Sequence, residues 1–119
     1  MLVAEDDALL REILCDGLTD QGFVVEAAAD GQDALKRFRA SGPFDVLLLD
    51  EEMPRLTGRE VLRRVREGGS RVAALLISGS LELSAAERDR LGVGPVLKKP
   101  LSLVELSRAV RQAIDTALS

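Results

Sequence analysis

Histidine, tryptophan and tyrosine are missing from this chain, and cysteine occurs once. Without histidine there can be no Ser-His-Asp triad, no histidine-based zinc site and no phosphohistidine made on the chain itself. The single Cys15 excludes an internal disulfide and fits a reducing, cytoplasmic setting. On a segment of helical apolar spacing it reads as core filler rather than nucleophile. With three phenylalanines as the only aromatics, the core has to be built from Leu, Val, Ile and Ala. No apolar run reaches the roughly 20 residues of a membrane-spanning helix, and no signal-peptide pattern opens the chain. A net charge of −4 gives no general attraction to nucleic acid. The locally basic stretch "GREVLRRVRE", with Arg59, Arg63, Arg64 and Arg66, reads as a solvated helix face. What remains is a globular sequence of 119 residues, 46% hydrophobic and 30% charged, read as one domain over residues 1–119.

Strand-like and helix-like segments alternate along its whole length. Leu2 to Ala4 is an apolar stub, and Asp7 then caps a predicted helix with Leu10, Ile13, Leu14 and Leu18 on one face. Gly22 ends it, "FVVEAA" follows as a strand, and Asp30 caps a helix carrying Ala34, Leu35 and Phe38 that "SGP" terminates. "FDVLLLD" is a third strand. Capping boxes at Thr57/Glu60, Ser84/Glu87 and Ser102/Glu105 open three more helices, the second poor in apolar positions and the third well patterned through Leu103, Leu106, Val110 and Ile114. Between them lie the buried-strand pattern "RVAALLIS" and the short "VGPVLKKP". Five such pairs with near-continuous apolar strands predict an α/β fold, a doubly wound parallel sheet covered by helices on both faces.

In sheets of this kind, sites gather just beyond the carboxyl ends of the strands. Glu5, Asp6 and Asp7 follow the first strand, and Asp50, Glu51 and Glu52 the third. Ser78 and Gly79 follow the fourth, and Lys99 and Pro100 the fifth. Carboxylates crowded in this way ask for a counter-ion, and Mg2+ suits a site with few protein ligands. An aspartate, a lysine, a hydroxyl and a metal at one edge match phosphoryl transfer to a carboxylate, giving an acyl phosphate.

Taken in order, "LVAEDDALLRE", "VLLLDEEMPRLTG", "LLISGS" and "VLKKPL" resemble the opening, acceptor loop, hydroxyl strand and Lys-Pro turn of response-regulator receiver domains. The resemblance covers essentially the whole chain. It implies a flavodoxin-like (βα)5 fold with strand order 2-1-3-4-5. By position, Asp50 corresponds to the phospho-acceptor, Glu5 and Asp6 to the acidic pair for Mg2+, and the backbone carbonyl of Glu52 to a further metal ligand. Ser78 corresponds to the hydroxyl that follows the phosphoryl group, Gly79 to the small residue beside it, and Lys99 to the family lysine before a cis Pro100. Beside these assignments, Asp7 reads as a helix cap, Glu51 as a solvated acid and Lys98 as an outward strand residue.

The resemblance also implies partners and an output. A histidine kinase or histidine phosphotransfer protein would supply the phosphoryl group. The output would be a change in the surface around the fourth helix, fourth strand and fifth strand, read by a downstream protein or a fused output domain. No direct nucleic-acid or membrane contact is expected, and the chain would not be an enzyme beyond its own phosphorylation and dephosphorylation. Val96 stands where the family often carries an aromatic residue, which removes the usual aromatic switch. Two other readings stay open: a receiver-like binding module that needs no phosphate, and a phosphatase resembling the haloacid dehalogenase superfamily. The chain is either free-standing or cut from a larger regulator or hybrid kinase.

Overall fold

The computed structural model describes residues 1–118. Its elements are β1 (Leu2–Ala4), α1 (Ala8–Asp20), β2 (Glu26–Ala28), α2 (Gly31–Ser41), β3 (Val46–Asp50), α3 (Gly58–Glu67), β4 (Ala73–Ser78), α4 (Ala85–Leu91), β5 (Leu97–Lys98) and α5 (Leu103–Leu118). The five strands form one parallel sheet in the order β2-β1-β3-β4-β5, as the resemblance implied. β2 and β5 are shorter than their apolar patterns: Phe23 to Val25 precede the paired part of β2, and β5 pairs over only two residues.

β3 is central because it is apolar on both faces. Leu47 and Leu49 enter one core with Leu2, Ala34, Leu35, Val61, Leu62 and Leu76. Val46 and Leu48 enter the other with Val3, Leu14, Leu18, Ile77, Leu106 and Val110. Successive residues of a strand point to opposite faces, so one uninterrupted run feeds both layers. Leu47, Leu48 and Leu49 are fully buried, each contributing about 1.5–3 kcal/mol relative to exposure.

The caps set where the helices begin. Asp7 accepts from the N–H groups of Leu9 and Leu10, and Asp30 from that of Asp33. The Thr57/Glu60 and Ser84/Glu87 boxes are reciprocal, whereas at Ser102 only the bond from the Glu105 N–H is formed. Two predicted inward residues turn out to be surface ones: Ile13 on α1 and Leu103 at the start of α5. Cys15 is half-buried against the second core, and burial pushes its thiol pKa up, in keeping with core filler. α4 is held mainly at its C-terminal end. Leu91 is its one buried residue, and the Arg66 guanidinium donates to the carbonyls of Leu91 and Gly92 at 2.8 and 3.4 Å.

One glycine bears directly on β3. A Cβ at Gly58 would lie 2.7 Å from the Asp50 carbonyl oxygen and 3.0 Å from a methyl of Leu76, so α3 can start this close to the end of β3 only without a side chain. Replacing Gly58 by alanine is therefore expected to destabilise the fold by about 1–3 kcal/mol through overpacking. A urea unfolding midpoint equal to that of the wild type would contradict this account.

Candidate functional site

Backbone bonds just past the strands fix the positions of the site residues. The Glu5 N–H donates to the Ala28 carbonyl at 3.1 Å, the Glu51 N–H to Ile77 at 2.8 Å and the Lys99 N–H to Ser78 at 3.1 Å. The ladder thus continues one step beyond each strand and delivers Glu5, Asp50, Ser78 and Lys99 to one edge.

Asp50 is buried, and both of its oxygens are engaged. The Lys99 ammonium donates to Oδ2 at 3.0 Å, and the Glu52 N–H donates to Oδ1 at 3.1 Å. Glu5 is equally buried. Its Oε2 accepts from the Asp7 N–H at 3.1 Å, while its Oε1 accepts no hydrogen bond and has Lys99 Nζ 3.6 Å away. Asp6 is exposed at the rim, and carboxylate oxygens of Glu5, Asp6 and Asp50 lie within 4.8 Å of one another. Three hard oxygen donors, one of them a buried atom with no hydrogen-bond donor, fit a divalent cation such as Mg2+.

The electrostatics follow from two buried carboxylates sharing one ammonium. Burial and the neighbouring Asp50 carboxyl push Glu5 up to about 8. Burial also raises Asp50, although the Lys99 ammonium pulls the other way. At Lys99, burial favours loss of the proton, but the bond to Asp50 and the neighbouring carboxylates outweigh it and hold the pKa above its ordinary value. At Glu52, burial would raise the carboxyl, but the Ser78 hydroxyl and the other hydrogen bonds outweigh it and hold the pKa low.

Ser78 is buried at the end of β4, and its hydroxyl donates to Glu52 Oε1. The Gly79 N–H donates to the same oxygen at 3.2 Å. A Cβ on Gly79 would meet no atom within 4 Å, so the space beside it is open. The Lys99–Pro100 bond is cis, as the resemblance implied. Lys98 points outward and donates to the Leu81 carbonyl at 2.7 Å. Asp7 is the α1 cap and lies outside the carboxylate group.

Glu51 differs from its sequence reading. It is buried, accepting from the Arg59 N–H at 2.8 Å and from Arg59 Nε at 2.9 Å. It caps the first turn of α3, where a free N–H needs an acceptor and a negative charge is stabilised. Arg59 is accordingly half-buried and paired, while Arg63 and Arg64 keep to the solvated face. The signal lay in the spacing: an arginine directly after the Thr57-Gly58 start of α3, eight residues beyond the acid.

Comparison with known proteins agrees with this geometry. Residues 1–111 match the response regulator receiver domain family, and the chain belongs to it. The response regulator MprA of Mycobacterium ulcerans is 38% identical over 113 residues, which is 93% of this chain and 48% of that protein. The chain therefore spans about half the length of the curated relatives it matches. A receiver domain from Clostridium thermocellum superimposes with a TM-score of 0.88 at 26% identity, over 98% of this chain and 94% of that one. The response regulator TrrA of Thermotoga maritima, solved in complex with Mg(2+)-BeF, gives a TM-score of 0.78 at 28% identity, over 94% and 96% of the two chains. This is a response regulator receiver domain of a two-component system. Among the described residues, no helix is long and apolar enough to cross a membrane.

The raised Glu5 pKa has a stability consequence. Between its ordinary value of 4.5 and about 8, the folded protein holds a proton that the unfolded chain has released. Stability from this group is thus full below the lower value and is lost as pH rises towards the upper one. Thermal melts in chelator are expected to show Tm falling across that window, with a shallower slope in Glu5→Gln. Identical slopes in the two proteins would contradict the assignment.

Proposed function

We propose that Asp50 accepts a phosphoryl group from a phosphohistidine on a partner kinase or phosphotransfer protein. The observation that carries this reading is the 3.0 Å contact between Lys99 and a buried Asp50 at the edge of a carboxylate cluster. An oxygen of Asp50 attacks the phosphorus in line. The new O–P bond forms as the P–N bond to the donor imidazole breaks, and the electron pair returns to the imidazole nitrogen. Lys99 neutralises charge on the transferring group, and Ser78 and the Gly79 N–H would donate to its oxygens once released from Glu52. Glu5, Asp6, Asp50 and the Glu52 carbonyl would hold Mg2+, which supplies charge neutralisation at the phosphoryl oxygens when bound. Water later cleaves the acyl phosphate, restoring the carboxylate and releasing phosphate.

The domain acts on itself and turns over no separate substrate, so it is a switch rather than an enzyme. Membership of the receiver family and the absence of a second aspartate two residues past Asp50 weigh against the phosphatase alternative. The signal would leave through protein contact, or through a fused output segment of the kind that the greater length of the relatives accommodates. A cytoplasmic setting fits the reduced Cys15 and the kinase partner.

Intact-mass measurement after incubation with acetyl phosphate and Mg2+ tests the reading. The wild type is expected to gain the mass of one phosphoryl group, and Asp50→Ala none. An unmodified wild type would leave the phosphate-independent binding module as the better description, and a modified Asp50→Ala would place the acceptor on another residue.

A further inference from the structure

The contact between Glu52 and Ser78 is more than a surface hydrogen bond. A serine hydroxyl has one proton to give and two lone pairs to receive. In Ser78 all three are committed: the N–H groups of Ser80 and Leu81 donate to Oγ at 3.1 and 2.9 Å, and its proton goes to Glu52 Oε1. The Gly79 N–H is committed to that same oxygen. On the receiver-site reading, these two donors would serve an oxygen of a group attached to Asp50. Glu52 is also tied to Asp50 directly, since its own N–H holds Asp50 Oδ1.

We propose that the Glu52 carboxylate is an internal occupant of the phosphoryl subsite, a latch that must swing away before an anion on Asp50 can engage Ser78 and Gly79. The proposal rests on the receiver-site reading and adds to it a regulator of that site. Two physical effects make the occupancies exclusive. One hydroxyl proton cannot satisfy two acceptors, and a carboxylate beside a phosphoryl group adds like-charge repulsion in a partly desolvated place. Displacement is sterically free, because Glu52 lies exposed at the mouth of the site and can turn into solvent. The loop after β4 keeps its shape meanwhile, since the bonds from Ser80 and Leu81 to Ser78 do not involve Glu52.

The latch lowers apparent affinity for any phosphoryl-like ligand by the fraction of time the subsite stands open. A subsite closed for about nine-tenths of the time lowers that affinity about tenfold. The measurement is titration of beryllofluoride into the full chain with Mg2+, by calorimetry, for wild type, Glu52→Ala, Ser78→Ala and the double variant. Glu52→Ala is expected to bind about tenfold more tightly than wild type, and most of that gain is expected to vanish on the Ser78→Ala background. An unchanged or weaker affinity in Glu52→Ala overturns the latch. So does a gain that persists in full without the Ser78 hydroxyl, because simple charge repulsion would then account for it. Failure of both the wild type and Glu52→Ala to bind removes the receiver-site reading, and the latch falls with it. Binding that is indifferent to Glu52 removes the latch alone.

Discussion

Two carboxylates, Glu5 and Asp50, are buried at the end of a hydrophobic sheet with a single ammonium between them. Burying two like charges so close together is costly, and the backbone around them is arranged to hold them in place. The strands deliver the acids by backbone bonds that outrun the regular ladder, so the positions do not depend on side-chain attraction. Lys99 arrives from the far side of the sheet and neutralises one charge, leaving the other to a proton or a cation. A site that is uncomfortable when empty and unprotonated is ready to take a divalent ion.

The three consecutive acids after β3 solve three separate problems. Asp50 faces the lysine, Glu51 closes the N-terminus of α3 and pairs with Arg59, and Glu52 reaches over to Ser78 and Gly79. Each has a different partner, which is how three like charges occur side by side in the chain without sharing one region of space. Gly58 completes the arrangement by letting α3 approach the Asp50 carbonyl.

Much of this was legible in the sequence because parallel sheets place strand ends predictably. The run Val46 to Leu49 could only be a strand buried on both sides, and Asp50, Ser78 and Lys99 each stand at or just beyond a strand's end. Glu51 was misread because, although the start of α3 was legible from Thr57 and Glu60, the approach of the Glu51 side chain to it is a tertiary contact. The requirement for glycine at position 58 is likewise a packing fact, invisible in one dimension. Ile13 and Leu103 matched the apolar spacing of their helices but lie at the border of the covered face, and spacing alone does not mark that border. β2 and β5 fell short because edge strands pair on one side only.

The fastening of α4 carries a mechanical implication. Leu91 and the Arg66 guanidinium pin its trailing end to α3, whereas Ala85 and Ala86 of its leading turn are open to solvent and Glu87 makes only a loose 4.0 Å pair with Arg59. A rod clamped at one end yields as a lever. A displacement carried along residues 78–84 would meet its least resistance in rotation about that clamp, so the leading turn would travel furthest.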